Sequence, residues 1–301
     1  MSKINIKEFG TLVTEALSIR LGSGYTINIK PVTKNNGVSY LGVTISDGAN
    51  TVPIIYLNNY FERYQNGTDL NEIVEGIVAV YNNNHELPSG LDVTEFTEWD
   101  RAKSKLSCRL VNRESNKELL ERVPAIIWQD DLAVIFVFKG SVDDGSQYSI
   151  IVTNEHAANW GVSVNDLYET ALGNLDNEGA EIISLFDAIS SMIGDIATDE
   201  AARRAADETM FVLSDKSRHF GAKMLLKTDI LRKFAEEHNC DPVIIPSSVH
   251  EAIILVGNDI PNKATLTEMI CEVNRTQVLP EEVLSDHPYV YHRAEGVVTA
   301  L

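Results

Sequence analysis

Apolar side chains at Ile6, Phe9, Leu12, Val13, Ala16, Leu17 and Ile19 recur close to helical spacing, and Gly22 and Gly24 stop the run. That pattern predicts a helix over residues 4–21. The period then changes. Tyr25, Ile27 and Ile29 alternate with Thr26, Asn28 and Lys30, as in a half-buried strand over residues 25–32. Asn35, Asn36 and Gly37 tolerate the left-handed backbone of a tight turn, so residues 38–46 return as a second strand. A short apolar run at 52–56 leads into 58–65. Asp69 is then placed to cap a helix with an inward face of Ile73, Val74, Ile77, Val78 and Tyr81. Residues 82–90 hold three asparagines, a proline and a glycine and read as a linker. The expected division is therefore residues 1–88 and 89–301.

The second part mixes both periods. Helices are expected at 99–106, 114–121, 164–175 (opened by Ser163), 182–193 and 265–278, with one or two more in 221–238. Strands are expected at 108–112, 148–152, 210–213 and 289–292. Two hairpins pair 125–128 with 132–138, around Gln129-Asp130-Asp131, and 243–245 with 252–256. Turns fall at Asp143-Asp144-Gly145 and across 198–206. A strand, polar turn and helix occurs twice, from Ser149 and from Met210, as a repeated local unit without functional meaning. The predicted class is α+β: an N-terminal helix–β-hairpin–helix module, then a larger mixed α/β unit with mainly antiparallel strands.

Candidate chemistry is sparse. Neither G-x-x-x-x-G-K nor a strand-following G-x-G-x-x-G is present, and G-x-S-x-G and H-E-x-x-H are also absent. The Gly22-Ser23-Gly24 cluster ends a helix, the wrong order for a phosphate cradle. The densest polar stretch is Pro246-Ser247-Ser248-Val249-His250-Glu251, between two apolar runs. Ser247 or Ser248 with His250 and Glu251 would be the catalytic candidates, since a nucleophilic hydroxyl needs a base in reach. Neighbours on extended backbone point to opposite faces, however, so the serines fit a turn better. His156, His219 and His250 each follow a strand near a turn and are weak candidates for a shared metal. Asp130-Asp131 and Asp143-Asp144 suit hairpin turns. Cys108, Cys240 and Cys271 lack paired spacing and read as reduced, mostly buried residues. No resident cofactor is expected.

Charge changes the picture of partners. The 301 residues carry 44 acidic and 25 basic side chains, a formal net charge of −19. Such a balance repels nucleic-acid phosphates and anionic membranes and keeps the chain soluble. A surface that imitates nucleic acid and occupies a basic protein is the sharper reading. The acidic residues are spread over 69–75, 95–100, 176–181, 199–208 and 281–286, as on solvated helix faces. The N-terminal residues lack the apolar core of a signal peptide, and no apolar run reaches the ~18–20 residues of a membrane helix, so a cytoplasmic location is expected.

Several segments resemble a bacterial family known as domain of unknown function 5688. They are Lys34-Asn35-Asn36-Gly37, Pro53-Ile54-Ile55-Tyr56-Leu57, Glu72-Ile73-Val74, Val212-Leu213-Ser214, Gly221-Ala222, residues 245–251, 272–274 and 282–286. Pro246-Ser247-Ser248-Val249-His250-Glu251 is the most specific of these. Residues 164–174 are also distantly similar to domain of unknown function 1444. The first resemblance covers nearly the whole chain and implies gut anaerobes, integrated mobile elements and a cytoplasmic accessory protein. No activity, cofactor or catalytic residue comes with it. The expected function is a non-enzymatic acidic protein that binds a host protein, in mobile-element maintenance or interference with host defence. An enzyme using residues 246–251 and a small-ligand or metal sensor are the alternatives.

Overall fold

Asn5 starts the first helix. Its Oδ1 accepts from the amides of Lys7 and Glu8, while the Glu8 carboxylate accepts from the Asn5 amide, closing a capping box for α1 (Ile6–Leu21). The computed structural model describes residues 4–48, 52–84, 94–141, 147–193 and 209–301. They fall into two units, residues 4–84 and a larger one from residue 94 onward.

In the smaller unit, β1 (Thr26–Thr33), β2 (Ser39–Ser46) and β3 (Ile54–Tyr56) form an antiparallel sheet in that order. Asn36, whose short polar side chain tolerates it, and Gly37, which lacks a Cβ, adopt positive φ, 59° and 68°, so Thr33 can oppose Ser39. Helices α2 (Asn58–Gln65) and α3 (Leu70–Asn84) follow, and Asp69 Oδ1 accepts the Asn71 amide at 2.8 Å. The predicted face of α3 packs with Phe9, Val13 and Leu17 of α1 and Val43 and Ile45 of β2. Each such buried side chain contributes roughly 1.5–3 kcal/mol.

The larger unit has two antiparallel sheets. In the first, β6 (Leu132–Ser141) is the spine. It pairs with β4 (Leu106–Asn112), β5 (Ala125–Trp128) and β7 (Gln147–Ile151). Its sequence is almost continuously apolar because both faces are covered: Leu132, Val134 and Phe136 enter the main core, Ala133 and Ile135 a smaller one. The second sheet contains β8 (Ala180–Ser184), β9 (Met210–Asp215), β10 (Val243–Ile245), β11 (Ala252–Leu255), β12 (Tyr289–His292) and β13 (Val297–Ala300), in the order β13-β12-β10-β11-β9-β8. Leu106, Cys108 and Phe136 of the first sheet share one core with Leu213, Ile244, Ile254 and Tyr289 of the second. Helices α4 (Asn154–Trp160), α5 (Val164–Glu178) and α7 (Thr228–His238) also pack into that core, whereas α8 (Lys263–Thr276) buries only Leu266 and Ile270. The class is α+β. Among the described residues no helix is long and apolar enough to cross a membrane.

Several boundaries differ from the pattern-based expectation. The helix expected from 182 begins only at Leu185, as α6 (Leu185–Ile193). Residues 180–184 instead pair with β9, where β-branched Ile182 and Ile183 suit an extended edge. Only Lys117–Leu120 of 114–121 is helical, and 99–106 yields one helical turn, a 3-10 turn and the start of β4. β13 was not anticipated, although it completes a hairpin with β12. Cys271 is exposed on α8, contrary to the buried role expected of the cysteines, because Leu266 and Ile270 define the opposite, inward face. Residues 85–90 of the linker, including His85, the Asp143-Asp144-Gly145 turn, the turn at 198–206 and the acidic run at 199–208 lie outside the described residues.

The Gln129-Asp130-Asp131 turn does more than reverse the chain. Asp131 accepts from the hydroxyls of Ser285 and Tyr289, both fully buried. Burial, with the neighbouring Asp131 carboxylate, pushes the Tyr289 phenol well above its ordinary range. Asp131→Ala removes the carboxylate acceptor from both hydroxyls, leaving Tyr289 its 3.1 Å bond to Ser285 Oγ but the Ser285 proton without an acceptor, and a loss of about 2 kcal/mol is expected in a urea titration followed by fluorescence. An unchanged midpoint would mean that water replaces the carboxylate without cost.

Candidate functional site

Leaving β9, the chain makes a strained turn before a 3-10 segment, Gly221–Leu226. Asp215 organises it: Oδ1 accepts from the Ser217 hydroxyl at 2.7 Å and from the His219 amide at 3.3 Å. Arg218 and Phe220 both lie in the left-handed region, with φ of 51° and 56°. Non-glycine residues there cost roughly 1–3 kcal/mol each and persist where surrounding contacts over-determine them.

His250 supplies one of those contacts. The Phe220 amide donates to His250 Nδ1 at 3.1 Å, so Nδ1 is an acceptor and the neutral ring carries its proton on Nε2. Nε2 faces Glu282 Oε1 at 3.3 Å. The carboxylate beside this imidazole is therefore Glu282, 32 residues away, rather than adjacent Glu251. Backbone bonds tie the same pieces together: Ala222 donates to the Val249 carbonyl and Val249 to the Glu282 carbonyl. Ser248 Oγ accepts the His250 amide at 3.0 Å, and the Ser248 amide donates to the Glu251 carbonyl, so Ser248 serves the turn. Ser247 and Glu251 are half-buried and border the same turn.

His219 packs against these groups, its ring 5.3 Å from His250 and 4.5 Å from Phe220 between centroids. Burial, then the nearby His250 and Arg109, holds its proton affinity below the usual imidazole range, outweighing the opposite pull of Asp215. Arg109, on β4, lies with its guanidinium 3.6 Å from the Phe220 ring centroid. The one side-chain hydrogen bond of Arg109 among the described residues is to Ser149 Oγ. Burial lowers its pKa to about 10.

Beneath the turn, Lys223 has no solvent exposure. Its ammonium donates to Asp215 Oδ2 at 2.5 Å and the Phe220 carbonyl at 3.2 Å, and sits 3.0 Å from Glu178 Oε2. Glu178 also accepts from Lys139 and the Ser107 hydroxyl. Burial pushes the carboxyls of Asp215 and Glu178 upward, but Lys223 prevails and both stay below their ordinary values. Two ammonium groups thus face two carboxylates in a balanced network.

The metal candidates do not converge. His219 and His250 meet, but His156 caps α4: Nδ1 accepts the Thr153 amide at 3.1 Å and the ring packs on Phe96 and Trp160. Among the described residues no group of three or more His, Cys, Asp and Glu side chains is placed to hold a metal ion. Sequence reasoning passed over Arg109, Asp215, Phe220, Lys223 and Glu282. One signal was available, since Lys223 is the single charge in Phe220-Gly221-Ala222-Lys223-Met224-Leu225-Leu226, where an apolar setting demands a partner.

No curated protein and no solved structure matches the chain. Residues 6–293 match the sequence model of DUF5688, a family of unknown function, and the chain belongs to that family.

Proposed function

We propose that the protein acts by binding another protein, as an acidic accessory factor whose partner presents a basic surface. The distribution of charge carries this reading. Residues 1–84 hold seven acidic and six basic side chains, so all but one of the nineteen excess negative charges belong to residues 85–301. A field of that sign speeds encounter with a basic protein and opposes nucleic acid and anionic membranes. A cytoplasmic accessory role for a mobile element, acting on a host protein, follows from the resemblance noted above and belongs to the same proposal.

A catalytic role for His250 has less support. Both ring nitrogens are engaged, one by the Phe220 amide and one by Glu282, so taking a substrate proton would require breaking a contact that holds the strained turn. A metal-sensing role has, among the described residues, two imidazoles without a third ligand beside them.

The test is retention of partners from a bacterial lysate on the tagged full-length chain. One basic protein is expected, with retention falling steeply as salt rises from about 0.05 to about 0.5 M, where exposed charges are screened. Retention that ignores salt, retention of nucleic acid alone, or retention of nothing would remove the proposal.

A further inference from the structure

We propose that Arg109 and His219, on the turn shaped by Phe220, bind one oxyanion group, the carboxylate or phosphate of a small molecule. The first observation is the state of Arg109. Half-buried arginines are normally matched by a carboxylate, because a guanidinium loses its hydration on burial. Arg109 belongs to a chain with 44 acidic side chains, yet its side-chain bond is to the neutral Ser149 hydroxyl. A guanidinium has five N–H donors, so most remain for a ligand.

The second observation is His219. It is exposed, and no hydrogen bond to its ring nitrogens occurs among the described residues; its backbone amide is the group fixed by Asp215 and Ser217. The charged groups that act on it are Arg109 from β4, His250 from the 246–251 turn, whose ring lies 5.3 Å away, Asp215 from β9 and buried Lys223 from the 3-10 segment. Three of these four are positive or can become so. Asp215 is already neutralised by Lys223, and the Glu282 carboxylate is engaged by His250 Nε2. An anion beside Arg109 and His219 supplies the charge this corner lacks.

The third observation is preorganisation. Arg218 and Phe220 are held at positive φ, and Phe220 is stacked under the guanidinium while its amide is tied to His250. A fixed fork suits the two oxygens of a carboxylate or phosphate. The strongly negative remainder of the chain disfavours polyanions, so the ligand is a small molecule rather than nucleic acid. Bound anion favours the imidazolium form of His219, whose proton affinity is held low in the free protein, so affinity rises as the pH falls through and below 6.5, the ordinary imidazole value.

The inference is independent of the protein-partner proposal and is tested without a partner. Histidine ring signals of the full-length chain are followed by NMR while sodium phosphate or sodium acetate replaces chloride at constant ionic strength. A saturable shift of the His219 signal is expected, stronger at the lower pH. Saturation by phosphate alone identifies a phosphoryl ligand, and saturation by acetate a carboxylate. His219→Ala, at an exposed position, should keep the fold and weaken binding ~tenfold, the loss of one charge-assisted hydrogen bond, as read from the ring signal of neighbouring His250. Arg109→Gln should abolish it. No saturation by either anion beyond chloride, or equal affinity in the His219 variant, overturns the assignment.

Discussion

Lys223→Met is expected to destabilise the larger unit by about 3–5 kcal/mol, because the ammonium leaves and a buried carboxylate stays. Asp215 is 1% exposed and depends on Lys223 for its charge partner, while Glu178 retains Lys139. Methionine nearly matches the lysine stem in length, so the change isolates charge from volume. Trp99, Trp128 and Trp160 all belong to this unit, and their fluorescence in a denaturant titration reads it without the smaller one. A melting temperature lower by about 10 °C is the thermal counterpart. The effect carries a pH signature. Asp215 and Glu178 have folded pKa values below their ordinary 3.8 and 4.5, so the stability they contribute is present above that range and lost as pH falls through it. In the variant, burial without the ammonium raises the Asp215 pKa, so the deficit is largest at neutral pH and shrinks below about pH 4.5. Asp215→Asn added to Lys223→Met should recover part of the loss, since the amide oxygen can still accept from Ser217 and His219. A single variant as stable as the parent would show that the network is dispensable.

How much of this was legible in sequence follows from the range of the forces involved. The face of α3 was legible because 3.6-residue periodicity is local, and Ile73, Val74, Ile77, Val78 and Tyr81 are all buried. Both hairpins were legible because their partners are adjacent along the chain. β8 was not, since Ile182 and Ile183 suit either period and the choice is made by β9, about thirty residues later. The site divides the same way. Ser248, Val249 and His250 were visible as a polar turn, but the partner of His250 is Glu282 and that of Arg109 is the ring of Phe220. Sequence separation of 32 and 111 residues leaves no spacing rule to read. The strained turn is also silent in composition, because arginine and phenylalanine at positive φ contradict local preference and are imposed by tertiary contacts.

Gly221→Ala tests whether those contacts shape the turn as tightly as they do in the structure. A Cβ at Gly221 would lie 2.1 Å from Ser214 Oγ, 2.6 Å from the Asp215 nitrogen and 2.7 Å from the His250 carbonyl oxygen. The hydroxyl can rotate away, though it then gives up its 2.8 Å bond to that carbonyl. The two backbone atoms cannot rotate; β9 and the 246–251 turn would have to separate. At a compatible position, replacing glycine by alanine stabilises by ~0.4–1 kcal/mol through the unfolded chain. Here the overpacking opposes that gain, and a net loss of about 3 kcal/mol is expected. Separation would also lengthen the Phe220 amide bond to His250 Nδ1, the contact that holds Phe220 beneath Arg109. The same variant should therefore move the His219 ring signal and weaken anion binding, even at temperatures where the fold is intact. Loss of stability with an unchanged His219 signal would assign Gly221 to packing alone. Gain of stability would mean that β9 and the 246–251 turn are free to part, and that the turn is not preorganised.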